Sequence, residues 1–253
     1  MLYHRAVARG CRNWYISRDM GRFSCERDLQ FALLAARVPD RMMGAVTYFR
    51  REVPVGECIP DLIYVKFDSI PKNIWPVRMT FLHAWILGLL RHRRTLSVET
   101  IAALAFDEPR KIGRCVADLL MAGSLEETCT DVVHLSSDYR GISAEVIALE
   151  AKLSNWWEAL EQAVRYKRFA DQCLVVIGKC AARNVTDMLS AFASQGIGLA
   201  QLHGKVIDWL AEPECNTPQS WAEREYLISL AATGRHTPWL VRYARNADSH
   251  EAT

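Results

Sequence analysis

The stretch Ala144-Glu-Val-Ile-Ala-Leu-Glu-Ala-Lys152 constrains this chain more than any other. Its apolar positions call for burial, yet it closes on a carboxylate and an amine two residues apart. Side chains alternate across a strand with a period of two, so a strand here points Glu150 and Lys152 to the same side. A second apolar run, Ile59-Pro60-Asp61-Leu62-Ile63-Tyr64-Val65, carries one acid near its start, directly behind a proline. Gln162 and Tyr166, four apart, share one face of a predicted helix.

The rest of the chain sets the frame for these residues. With 253 residues, 50% of them hydrophobic, it can build one sizeable domain or two small ones, and disorder is not the default. The net charge of +2 does not by itself announce a nucleic-acid binder. Arg5, Arg9, Arg12, Arg18 and Arg22 crowd the N-terminus against Asp19, which fits a phosphate contact and a solvated face about equally. The eight cysteines form no C-x-x-C pair and lack zinc-site spacing, so they read as reduced, mostly small buried side chains. The longest apolar run, Leu82 to Leu90, is too short to span a bilayer and ends in Arg91. No signal segment opens the sequence, and the expectation is a soluble, cytoplasmic protein without a membrane partner.

Read in order, the pattern is α/β. Ser24 can cap a helix to about Val38, with Glu26 and Asp28 in the first turn, where the helix dipole favours negative charge. Strands are expected at Ala45 to Phe49 and Ile59 to Phe67, with a turn at Pro54 to Glu57. The next core strand arrives only near Glu145, so roughly seventy residues interrupt the sheet, far more than an ordinary loop. Within them Met79 to Leu90 is an apolar helix, and Ser97 caps a second helix to about Ala105. Asp107 or Glu108 caps a third, with Pro109 in its first turn and Gly123 ending it. Leu125 to Thr128 and Val132 to Leu135 pair as a wing. After the strand at 144–152 come a helix from Ser154 to Ala170, with an apolar stripe of Trp156, Trp157, Leu160, Ala163 and Val164, and a strand at Cys173 to Ile177. A helix at Ala181 to Ala193, strands at Ile197 to Gln201 and Val206 to Leu210, a last helix at Ser220 to Ala232 and a polar tail follow.

An acid entering one strand, Glu-x-Lys on the next and Gln-x-x-x-Tyr on the following helix together resemble the PD-(D/E)xK nuclease superfamily, in particular its RecB-like branch. Pro60 and Asp61 match the PD, Glu150 and Lys152 the (D/E)xK, and Gln162 and Tyr166 the helix motif. The three helices and wing resemble a winged helix-turn-helix domain, with Ser-x-Glu-x-Ile-Ala in its second helix and an Arg/Lys-studded third. The resemblance implies a restriction-endonuclease-like mixed sheet flanked by helices and interrupted by the winged-helix insertion. The division is 1–70 and 141–211 for the two halves of the core, 71–140 for the insertion and 212–253 for the C-terminal helix and tail.

That resemblance also implies a chemistry. Asp61 and Glu150, with the backbone carbonyl of Ala151, would hold Mg2+, for which Mn2+ would substitute. Oxygen ligands and retained waters suit such an ion. Lys152 would orient or help deprotonate the attacking water, while Gln162 and Tyr166 would hold the DNA backbone or the lysine and the metal-bound water. Glu26 is a further metal contact or a dipole-complementing acid, and the second reading is the simpler. Arg110, Lys111 and Arg114 would meet phosphates or base edges of duplex DNA. The expected function is a metal-dependent DNA nuclease, endonucleolytic in mode, with the same chemistry on RNA or branched DNA left open by the sequence. The rival is a catalytically inactive winged-helix DNA-binding or regulatory protein on a nuclease-like scaffold. Concerted cutting of two strands needs two active sites, which makes a homodimer attractive, although no heptad or interface stripe marks one.

Overall fold

A computed structural model describes residues 23–35, 46–69, 74–76, 78–178, 185–203, 206–233 and 241–244. The N-terminal arginines, read as a phosphate contact or a solvated face, lie outside the described residues. The strand β6 (Ala144–Lys152) has the bounds expected of it. It is central because both of its faces are apolar: Val146 and Ala148 enter one buried cluster, and Ile147, Leu149 and Ala151 enter another. Beside it lie β1 (Val46–Arg51), β2 (Leu62–Phe67), β7 (Gln172–Ile177), β8 (Gly198–His203), β9 (Val206–Ala211) and β10 (Val241–Ala244), in a seven-stranded sheet of order β10-β1-β2-β6-β7-β8-β9. Pairing is antiparallel from β10 to β6, parallel from β6 through β8, and antiparallel again to β9.

Helix α1 (Glu26–Ala35) covers one face of this sheet through Leu29 and Leu33, both fully buried. The other face takes α6 (Trp156–Tyr166), α7 (Val185–Ser194) and α8 (Trp221–Thr233). Parallel neighbours need a crossover, and α6 is the one that joins β6 to β7. The start of β6 is pinned in register by Arg224 of α8, which donates to Asp171 and to the Ala144 carbonyl, while Asp171 accepts the Val146 N–H at 2.7 Å.

Between β2 and β6 the chain forms α2 (Phe81–Arg93), β3 (Thr95–Ser97), α3 (Val98–Ala105), α4 (Pro109–Ala122), β4 (Leu125–Cys129), β5 (Val132–Leu135) and the short α5 (Ser137–Arg140). The start of α2 follows from local chemistry. Thr80 accepts from the His83 N–H, and the His83 ring accepts from the Thr80 N–H, a reciprocal cap. Arg91, His92 and Arg93 fill its last turn, where positive charge opposes the dipole. Ser97 caps α3 by accepting from the Thr100 N–H, and Gly123 ends α4 at φ +83°, a left-handed conformation that glycine adopts without a Cβ penalty. The strand pair expected at 125–135 acquires a third strand that the pattern did not predict: β3, β5 and β4 form an antiparallel sheet in that order.

Several expectations change. Trp157 is 55% and Val164 37% exposed, so neither belongs to the buried stripe of α6, which is Ala159, Leu160, Ala163 and Tyr166. Tyr166 is buried with that stripe, and its hydroxyl reaches Glu150 of β6 at 2.7 Å. Strand β2 begins at Leu62 rather than Ile59, since Pro60 has no N–H to give a ladder and Asp61 holds the turn through its carbonyl, which accepts from Glu52 N–H. The polar tail contributes β10 to the sheet edge. Of the described cysteines only Cys115 and Cys173 are buried, while Cys25, Cys129 and Cys215 are exposed on a helix start, the wing and a loop. Cys11 and Cys180 lie outside the described residues. Among the described residues no helix is long and apolar enough to cross a membrane.

Candidate active site

The C-terminal end of β6 and the turn leading into β2 meet at one end of the sheet, because the two strands run antiparallel with Leu62 opposite Leu149. Asp61 therefore arrives beside the end of β6 although ninety residues separate it from Ala151. The Ala151 N–H donates to Asp61 Oδ2 at 2.8 Å. The Lys152 carbonyl accepts from Gly178 on the β7 side. Successive residues of a strand direct their backbone groups to opposite edges, so the Ala151 carbonyl faces the same edge as its N–H, toward Asp61.

Glu150 and Lys152 share a face, as alternation requires, with Lys152 Nζ 3.4 Å from Glu150 Oε1. Helix α6 closes over them. Tyr166 donates from its hydroxyl to Glu150 Oε2 at 2.7 Å, and Glu158 stands 3.7 Å from Lys152 Nζ. Glu158, Gln162 and Tyr166 recur every four residues and so line one stripe of the helix. Gln162 thus stands between the residue that touches the lysine and the one that touches the glutamate. Its Oε1 is buried without a hydrogen-bond partner among the described residues. Glu26, from the first turn of α1, lies 3.6 Å from Lys152 Nζ. It is therefore a member of this cluster, and a dipole-complementing role alone does not describe it.

Burial decides the electrostatics. It pushes the Glu150 carboxyl up to about 7, helped by the Asp61 charge, against the lowering effect of Tyr166 and Lys152. Asp61 is raised for the same first reason, with the Ala151 N–H and Lys152 opposing. Burial alone would lower the Lys152 amine, but Glu150, Glu26 and Glu158 outweigh it, and the amine is raised. It is an ammonium at neutral pH.

The residues fit a small, hard, water-rich divalent cation. Burial raises both carboxyls and the Asp61 charge raises Glu150 further, which a cation would relieve, a backbone carbonyl faces the same edge, and the buried Gln162 acceptor lacks a donor among the described residues. Among the described residues no three His, Cys, Asp or Glu side chains converge as metal ligands, so a protein cage of the zinc or calcium type is not present there.

In the inserted segment Arg110, Lys111 and Arg114 all lie exposed on α4, and Lys111 Nζ is 2.6 Å from Asp107. The stretch from Arg91 to Asp131 is not basic. Arg91, Arg93, Arg94, Arg110, Lys111 and Arg114 face Glu99, Asp107, Glu108, Asp118, Glu126, Glu127 and Asp131, six positive charges against seven negative. Glu126, Glu127 and Asp131 make the exposed β4–β5 hairpin acidic, a feature present in the sequence but outside the pattern that suggested a helix-turn-helix. Sequence reasoning also missed Gln30, Arg51 and Glu158, whose approach to the site depends on how α1, β1 and α6 pack. Compared with protein-family models, with curated proteins and with solved structures, the chain matches none.

Proposed function

We propose that the chain is a Mg2+-dependent DNA nuclease of the PD-(D/E)xK type, with the inserted helices and wing as a winged-helix element. The observation that carries the reading is that Asp61, ninety residues upstream, accepts at 2.8 Å the N–H of Ala151, the residue between Glu150 and Lys152. The run of antiparallel strands into β6, its crossover through α6 to a parallel β7, and the order helix-strand-helix-helix-strand-strand of the insertion support the fold assignment.

In this reading Asp61, Glu150 and the Ala151 carbonyl hold the cation, which when bound supplies Lewis acidity and a more acidic water. Lys152, an ammonium, neutralises charge growing on the phosphate and orients the water rather than taking its proton. Tyr166 keeps the Glu150 carboxylate aligned through its hydrogen bond. Gln162 offers its free carbonyl oxygen to the water or the lysine. Arg110 and Arg114 meet the phosphates through α4, whereas the acidic wing faces away from the duplex.

The rival, a DNA-binding protein on an inert scaffold, draws on the lack of a third acidic or histidine ligand among the described residues. Supercoiled plasmid with Mg2+ or Mn2+ separates the two. The nuclease nicks or linearises it, chelator stops the reaction, and Asp61→Ala and Lys152→Ala abolish it. Retention of plasmid without cleavage under every condition selects the rival.

A further inference from the structure

Asp61 does not take its place unaided. Its Oδ2 accepts the Ala151 N–H, and its Oδ1 accepts from Gln30 Nε2 at 2.5 Å. Gln30 lies on α1 and is 8% exposed. Its other amide atom, Oε1, accepts from Arg51 Nη2 of β1 at 2.7 Å. A glutamine amide can present either end to a carboxylate, but only its nitrogen can donate. Arg51 removes the ambiguity: a guanidinium has donors and no acceptor, so it must face Oε1, and Nε2 is left to face Asp61. The Arg51 guanidinium is itself held 4.7 Å over the Phe31 ring, one residue along α1 from Gln30.

We propose that Gln30, oriented by Arg51, is the positioning residue that sets the rotation of the Asp61 carboxylate for cation binding. The inference rests on the nuclease reading and adds to it a hydrogen-bond relay outside the motifs. An ionised carboxylate has about four acceptor sites. Gln30 and Ala151 occupy one on each oxygen, which fixes the plane of the group and leaves the remaining lone pairs aimed by geometry rather than by free rotation. Partners of this kind, one bond behind a ligand, typically change metal affinity by about 10–100-fold when removed.

The test is calorimetric titration of the full chain with Mn2+ in the absence of DNA, alongside thermal unfolding. Gln30→Leu keeps the volume and removes the donor. Arg51→Met keeps an unbranched side chain and removes the guanidinium, and with it the clamp on Gln30, its place over Phe31 and its 3.7 Å ion pair with Glu52, neither of which touches Asp61. Gln30→Leu is expected to weaken Mn2+ about 10–100-fold and Arg51→Met by a smaller factor in the same direction. The double variant is expected to match Gln30→Leu, since Arg51 acts through Gln30. A structural role alone would lower the melting temperature and leave the Mn2+ affinity of the folded protein unchanged. That result in both variants, or additive losses in the double variant, overturns the proposal while leaving the nuclease reading intact. Wild-type protein that neither binds Mn2+ nor cleaves plasmid overturns both. If Gln30→Leu fails to fold, the Arg51→Met titration alone decides.

Discussion

Glu150 destabilises the folded chain whenever it is charged without a cation. Its carboxyl titrates near 7 in the folded chain against an ordinary 4.5, chiefly because burial disfavours the charge. A raised folded value means that its contribution to stability is fully present below about 4.5 and is lost as pH rises through 7. The difference amounts to roughly 3 kcal/mol. Glu150→Gln should therefore abolish cleavage yet raise the melting temperature of cation-free protein at pH 8, with the two proteins converging near pH 4. Thermal unfolding across that range checks it. Because proton and cation compete for the same oxygens, Mn2+ should raise the wild-type melting temperature more at pH 8 than at pH 6. Tyr166→Phe removes a bond that lowers Glu150. The acid limb of the cleavage pH profile should move up by about one unit, a hydrogen bond to a charged group being worth ~1.5–3 kcal/mol.

At the scale of elements, α4 and the wing make opposite electrostatic statements. The exposed Arg110 and Arg114 suit phosphate, whereas Glu126, Glu127 and Asp131 repel it. Arg110→Ala with Arg114→Ala should weaken duplex binding and flatten the dependence of log affinity on log salt by about two, one for each phosphate no longer neutralised. Fluorescence anisotropy over a salt series measures this. Glu126→Gln with Glu127→Gln should leave the slope unchanged if the wing stands clear of the duplex, and an increased affinity would place the wing against it. Helix α6 shows the same division of labour in one element. Ala159, Leu160 and Ala163 bury it, and the Glu158–Gln162–Tyr166 stripe at its edge meets the site.

For the whole molecule, the inserted segment and the sheet share one apolar core, which runs from Ile86, Leu87 and Leu119 of the insertion to Val146 and Tyr166 of the core. One buried polar junction crosses it. Glu225 of α8, fully buried, pairs with Arg91 of α2 and accepts from the Tyr139 hydroxyl of α5 at 2.6 Å. Removing one partner strands a buried charge, so Arg91→Met should cost about 3–5 kcal/mol. Because the junction ties insertion to core, loss should appear as a single shifted unfolding transition, with tryptophan fluorescence and far-UV circular dichroism coinciding in urea. Two separated transitions would show the insertion to be an independent unit.

What the chain determined by its sequence alone was local. Alternation set β6 at 144–152 and the shared face of Glu150 and Lys152, Ser97 and Gly123 set helix ends, and four-residue spacing set Gln162 beside Tyr166, since each depends only on strand or helix periodicity and capping. Which way Tyr166 and Trp157 would face was not legible, because both are amphipathic and only the packed neighbour selects between them. Neither was the short β3, whose three residues pair with a strand more than thirty positions away. The approach of Glu26, Gln30, Arg51 and Glu158 to the Asp61–Glu150–Lys152 cluster was decided by the tertiary structure alone. Side chains carried by separate helices and strands meet through the docking of α1 and α6 against the sheet, and no periodicity within one element encodes that distance.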